Sequence, residues 1–219
     1  GCVYEPEADF RFCMMYPDTY ELGQANQALR ILVNVVNAVD GMVAERAFLP
    51  AAEFCDTMRA EGLPLFSIES CAPVAEFDAL GITLSHELVA TNVLEALDLA
   101  GIPLHAQDRG EDDLFVIGGG PCSYNPEPYA PFFDIFSIGE GEEALPECLQ
   151  AIQRLRAEGA CRADILRAMA ALTRCLFRRP AALPDHVALG SSTQALHWPP
   201  DAAGSLWGEE IDALRRELS

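Results

Sequence analysis

The side chains able to do chemistry in this chain are its cysteines, four histidines and the polar residues of four glycine-bearing loops. Eight cysteines stand at positions 2, 13, 55, 71, 122, 148, 161 and 175. No two form a C-x-x-C pair and no Cys/His group has zinc spacing. The C-x3-C-x2-C triplet that would hold an iron–sulfur cluster is absent. Cys13 and Cys148 fall inside apolar runs and read as small buried hydrophobes in a reducing compartment. Cys122 alone has a loop address suited to a site, with packing as its plainer role. His86, His105, His186 and His197 have no Ser or Cys partner apparent in the sequence, and no G-x-S-x-G elbow is present. The G-x-G-x-x-G turn of dinucleotide sites and the G-x4-G-K-[ST] loop of NTPases are missing as well.

The four loops are Pro17–Gly23, Ser85-His86-Glu87 with Thr91 one turn further, Gly118–Pro126, and Gly139-Glu140-Gly141-Glu142-Glu143. Glycines let a backbone approach a bulky ligand, helix N-termini offer free N–H groups, and a hydroxyl such as that of Ser85 can bond a buried heterocycle. Together they suit a large cofactor with a nucleotide tail. Each also has a plainer reading. Ser85 would serve as a helix N-cap with His86 and Glu87 in the first turn. Glu140 and Glu142 would favour a helix N-terminus electrostatically. The charged turn Asp108–Asp113 would be solvated.

The elements that must position these loops alternate along the chain. Apolar runs predict strands at Phe10–Tyr16, Met42–Phe48, Ala79–Leu84, Leu114–Ile117 and Phe133–Ile138, with a short extended piece at Leu65–Ile68. Helical spacing predicts helices over Leu22–Val39, Ala51–Glu61, Leu88–Leu99, Leu145–Leu155 and Arg162–Leu172. Continuous rather than alternating apolar strands, interleaved with helices, indicate an α/β fold: a parallel sheet covered on both faces. Ligands of such sheets bind outside the carboxyl ends of the strands, where all four loops begin. From Thr173 the composition turns to Pro, Ala and Ser with little periodicity, so 8–172 is expected to be the α/β domain and 173–219 an irregular linker or tail.

The chain has 219 residues, half of them hydrophobic, and a formal net charge of −20. That length suits one domain with an appendage, or two small ones. The charge repels phosphate backbones and argues against direct nucleic-acid binding. No apolar run approaches the roughly 20 residues of a membrane span, and Gly1–Phe10 lacks signal-peptide order, so a cytoplasmic protein without membrane attachment is expected.

Four stretches resemble one family: YPDTYELGQANQALRIL, GLPLFSIES, LGITLSHELVATNVLEALDLAGIPL, and DLFVIGGGPCSYNPEPYAPFFDIFSIGEGEEALPE. They are similar to the bacterial radical-SAM proteins that carry an N-terminal cobalamin-binding-like domain. The resemblance spans about residues 10–172 in order, and its most specific part is the pair IGGGPCSYNPEP and IGEGEE. It implies a flavodoxin-like (Rossmann-like) sheet of about five strands. Cobalamin domains with a histidine below cobalt carry D-x-H-x-x-G after the first strand. Here Asp18, Tyr20 and Gly23 keep the spacing with tyrosine for histidine. Phenol, with a pKa near 10, is a poor cobalt ligand. The resemblance thus implies that no histidine of this loop coordinates cobalt, and that Tyr20 sits under the corrin or fills its place. It further implies that Ser85, with Thr91 nearby, faces the nucleotide tail. Gly118, Gly119 and the adjoining Gly120 would line the tail slot, and Gly139, Glu140, Gly141 and Glu142 would form the turn after the last strand.

For the whole protein the resemblance implies a second domain beyond this chain. That domain would bind a [4Fe-4S] cluster and S-adenosylmethionine and generate a carbon radical, and this non-catalytic module would be its partner. In the family the linker continues in extended form into that domain. Thr173 onward departs from it, as a reading-frame change or truncated gene near residue 172 would produce. Three functions follow: a cobalamin-binding module, a cobalamin-free docking domain that positions substrate, or, least favoured, a flavin or nucleotide binder. The last would want a Ser/Thr-rich loop after the first strand, and Pro17–Gly23 has only Thr19.

Overall fold

Five apolar runs become five parallel strands because each connection carries the chain back to the same end of the sheet before the next strand begins. The structure, a computed structural model, describes residues 8–170 and the backbone of 175–177. The parallel strands are β1 (Phe10–Tyr16), β2 (Met42–Phe48), β3 (Ala79–Thr83), β4 (Phe115–Gly119) and β5 (Ile135–Ser137). The helices are α1 (Tyr20–Gly23), α2 (Gln27–Val36), α3 (Ala52–Glu61), α4 (Ala90–Leu99), α5 (Gly141–Ala157) and α6 (Arg162–Ala170). The parallel strands take the order β2-β1-β3-β4-β5. This is the doubly covered parallel sheet expected from the alternation, in the flavodoxin-like form that the resemblance implies, with its switch in strand order between β1 and β3. A short strand β6 (Cys175–Phe177) pairs antiparallel with β5 and closes that edge. It lies past the composition change at Thr173; the rest of the expected tail lies outside the described residues.

Both faces of the sheet are buried. Phe10, Phe12 and Met14 pack with Leu29 and Val33 of α2, Leu149 and Ile152 of α5, and Ile165 of α6. Cys13 and Met15, on the opposite face of β1, pack with Met58 of α3 and Val93 and Leu97 of α4. Burial on both faces is why the strands read as unbroken apolar runs. Cys13 and Cys148 are fully buried, Cys148 against the Met169 sulfur at 3.7 Å.

The outer edge of β2 is closed by side chains acting as a neighbouring strand would. Asn37 accepts from the Ala44 N–H at 2.7 Å and donates to its carbonyl, while Glu69 accepts from the Arg46 N–H at 2.7 Å. Buried Glu45 anchors the same loop, accepting from the hydroxyls of Ser67 at 2.6 Å and Ser70 at 2.5 Å. Capped in this way, the edge offers no free ladder to another chain.

At the amino end of the sheet, Asp134 holds two arginines, Arg109 at 2.9 Å and Arg162 at 2.8 Å, and accepts from the Val116 N–H. Arg109 also donates to the carbonyls of Pro103, Leu104 and Phe132. Burial pulls its pKa down, opposed by Asp134. This clamp explains one departure from the expected elements: Phe133 and Asp134 serve core and clamp, so β5 begins only at Ile135. The helix expected over Leu22–Val39 is in fact two, α1 and α2. Asn26 interrupts it by accepting from the Leu29 N–H at 3.0 Å and capping α2. Conversely, α5 starts at Gly141 rather than Leu145, with Glu142 and Glu143 in its first turn.

Candidate functional site

Because the five strands are parallel, all four singled-out loops leave the sheet at one end. The ladder fixes what faces what there. Thr83 of β3 pairs with Gly119 of β4, and Gly119 with Ser137 of β5, so these three form the last row across the sheet. They share the face that carries α2 and α5. A Cβ placed on Gly119 would meet only the Ser137 carbonyl, at 3.9 Å, so the space over this row is open.

Two hydroxyls at this end have no partner. Thr83 Oγ1 and Ser85 Oγ are both buried and unbonded. Leu84 between them turns its side chain into the other layer of the core. A buried hydroxyl without a partner is costly, and such groups persist where a ligand or water completes them. Ser85 therefore does not cap the helix after β3: the cap position of its first 3-10 turn is His86, with no side-chain cap bond. The side chain that the sequence reading missed is Thr83. Its signal was parity, since it stands two residues before Ser85 on an extended segment and so shares its side.

The other loops sort into separate roles. Gly118 is a packing glycine, since its Cβ would lie 2.9–3.0 Å from the rings of Phe136 and Phe133 on the far face. Gly118 and Gly119 thus face opposite layers, and only Gly119 borders the open row. Gly120 has φ +105° and lies where a Cβ would come 3.0 Å from the Leu84 carbonyl, so it turns the chain tightly over β3. Ser123 holds the turn by donating to the Gly120 carbonyl at 2.6 Å and lies 3.3 Å from that of Ser137, tying the β4 loop to the end of β5. Gly139, at φ +98°, is open to solvent and leads into the exposed Glu140 at the cap position of α5. Gly141 sits against Leu32 of α2, where a Cβ would come within 3.0 Å, and Glu142 is exposed in the first helical turn.

After β1, Asp18 spends a carboxylate oxygen on the Thr19 N–H at 2.7 Å. Tyr20 is 45% exposed, and its ring meets Phe48 edge to face at 5.2 Å. Gly23 is locked beneath, where a Cβ would fall 2.5 Å from the Phe48 ring. Asn92 of α4 donates to the Pro17 carbonyl at 2.9 Å and braces this loop across the switch in strand order. Thr91 is exposed at the start of α4. The structure therefore brings Thr83, Gly119 and Ser137 together with the nearby Ser85, places Tyr20 on the neighbouring loop, and leaves Thr91 at the surface.

Among the described residues, no group of three His, Cys, Asp or Glu side chains could hold a metal ion, and no helix is long and apolar enough to cross a membrane. Cys122 is buried, and burial raises its thiol pKa, as does the charge of Glu87. That suits a packing role rather than a reactive one. A recess of about 280 Å³ lies elsewhere, at the last turns of α3 and α4 beside Leu63 and Leu99.

No curated protein matches the chain. A family model described as radical SAM proteins, N-terminal, matches residues 28–176, which takes in β2 to β5 and most of β6. That match covers more than half of the sequence, and the chain belongs to the N-terminal domain family of radical SAM proteins.

Proposed function

We propose that this module of a radical SAM protein holds cobalamin at the carboxyl end of its sheet, where the Thr83–Gly119–Ser137 row would hold the nucleotide tail and the loop after β1 would supply no histidine to cobalt. The observation that carries the reading is the pair of buried hydroxyls without partners, Thr83 Oγ1 and Ser85 Oγ, beside the open face of Gly119. Two hydroxyls poised on one side of a strand end suit the polar edge of a heterocycle, and the missing Cβ at Gly119 admits its flat face. Tyr20 does not substitute for a histidine, since its ring is engaged with Phe48 and phenol is a poor ligand near neutral pH. When bound, the cofactor supplies alkyl-transfer and radical chemistry, which is its own. The protein's part is to seat the tail with Thr83 and Ser85, keep the slot open at Gly119, and fix its rim through Ser123 and Asn92. A partner domain holding a [4Fe-4S] cluster and S-adenosylmethionine would face this end. The test is to mix the purified chain with hydroxocobalamin, desalt it and record the visible spectrum. A retained corrin band that persists in Tyr20→Phe and disappears in Gly119→Leu is the expected result. Failure of the native protein to retain corrin, or equal retention by Gly119→Leu, sinks the reading.

One observation favours a second reading, a cobalamin-free docking domain. Tyr20 replaces the ligand-type residue and, with its carboxylate neighbour Asp18 committed to the Thr19 N–H, the loop has nothing prepared for an imidazole. A flavin or nucleotide binder fits less well, because the loop after β1, where a flavin phosphate would want several Ser and Thr hydroxyls, has only Thr19.

A further inference from the structure

The five loops at the carboxyl end of the sheet have a composition unlike the rest of the chain. All basic residues of the sequence other than histidine are arginines, 14 in number. None falls in residues 17–26, 49–56, 84–91, 120–131 or 138–147, the segments that follow β1 to β5. The same segments carry ten Asp and Glu residues. Arg11, Arg59, Arg109, Arg156 and Arg162 lie toward the amino end of the sheet, each paired with a carboxylate, while Arg46, late in β2, is held by Glu69 and the exposed Arg30 stands in the first turn of α2, outside these segments.

Large apolar side chains stand in solvent among those carboxylates. Leu88 after β3 is 84% exposed, Tyr124 after β4 is 64% and Leu22 after β1 is 61%, with Phe54 after β2 and Tyr20 also exposed. Single exposed apolar residues are ordinary. Here five stand in four of the segments that leave one end of one sheet, among Glu21, Glu87, Glu127 and Glu140. Tyr20 leans on Phe48, but Leu88 sits in a one-turn 3-10 helix whose buried residue is Val89. An apolar set ringed by charges of a single sign is the pattern of an interaction surface, with the apolar centres giving affinity and the charges giving orientation.

We infer that this end of the domain docks on a protein surface where arginine and lysine side chains ring sockets for Leu88 and Tyr124. The single sign of the charge selects the partner: acidic surfaces, nucleic acid and anionic membranes are all repelled by it. The inference rests on reading this domain as one module of a larger radical SAM protein, and it names the face and the chemistry of the joint.

The test uses the 219-residue chain and, as probe, the segment that follows this domain in a longer member of the family, with binding measured by calorimetry. Binding is expected to weaken as NaCl rises from about 50 to about 500 mM. Leu88→Ser combined with Tyr124→Ser is expected to weaken it about tenfold or more. Glu140→Arg with Glu142→Arg should weaken it comparably and flatten the salt dependence. Leu63→Ser, at an exposed apolar residue by the opposite end, should leave it unchanged, with matched thermal melts showing that each variant is folded. No binding by the native chain, binding indifferent to salt, or an equal loss in Leu63→Ser overturns the inference. Corrin retention is recorded on the same preparations. Docking without corrin removes only the cofactor reading, and corrin without docking removes only this one.

Discussion

Replacing Thr83 with valine deletes one oxygen from the last residue of β3 and keeps the branched shape that suits a strand. In the free domain that oxygen is buried and unbonded, within a residue only 7% exposed. Burying a hydroxyl without a hydrogen bond costs about 1–3 kcal/mol. Part of that gain is lost because the methyl group fits a hydroxyl's space imperfectly, so a net stabilisation of about 1 kcal/mol is the working figure. For a domain of this size it raises Tm by about 2–4 °C. The assay is urea and thermal unfolding of the purified native protein and Thr83→Val without cofactor. On the cobalamin reading the same variant should also retain less corrin, because the tail would lose a hydrogen-bonding group. A gain in stability with a loss of binding is the combined signature, and a stability–function conflict of this kind is what a prepared site produces. Destabilisation by about 1 kcal/mol or more would show that the hydroxyl has a partner in the free protein, and the reasoning behind the site would fail.

Other parts of the structure give equally direct expectations. Asp134→Ala leaves Arg109 and Arg162 without their shared carboxylate and frees the Val116 N–H, so it should cost about 3–5 kcal/mol in chemical denaturation, and a loss under about 1 kcal/mol would refute the clamp. Gly81→Ala would place a Cβ 2.5 Å from the Phe12 ring and 3.0 Å from the Met14 sulfur, an overpacking expected to cost about 1–3 kcal/mol in the same assay. Among the described cysteines, Cys71 and Cys161 are exposed, whereas burial, and next the charge of Glu45, holds the Cys13 thiol well above its ordinary pKa. Alkylation near pH 8 followed by mass mapping should therefore label Cys71 and Cys161 long before Cys13, with the gap closing only on unfolding, and equal rates would contradict the burial.

Much of the architecture was legible in the residues because it depends on local pattern. Apolar runs such as Phe10–Tyr16 and Met42–Phe48, each ending within two residues of a proline and followed by helical spacing, leave a doubly covered parallel sheet as the consistent solution. The loops that gather at the candidate site were legible for the same reason: in a parallel sheet every segment after a strand emerges at one end. The acidic, arginine-free composition of those segments also stands in the sequence, although its meaning depends on their convergence.

What only the tertiary structure decided is which atoms face one another. The glycines of IGGGP look alike in sequence, yet the pleat sends Gly118 toward Phe133 and Phe136 and Gly119 toward open space, while Gly120 turns the chain over Leu84. Thr83 reads in sequence as one more residue of the strand expected over Ala79–Leu84, whereas the ladder ends β3 there, sets Thr83 in a row with Gly119 and Ser137 and leaves its hydroxyl without a partner. Asp134 looked like one more residue of an apolar run, and became the centre of a buried clamp with arginines 25 and 28 residues away in the chain. The physical reason is common to all three. Propensity and periodicity act over a few neighbouring residues, whereas hydrogen-bond satisfaction and the space beside a glycine depend on residues that come together only when distant segments pack.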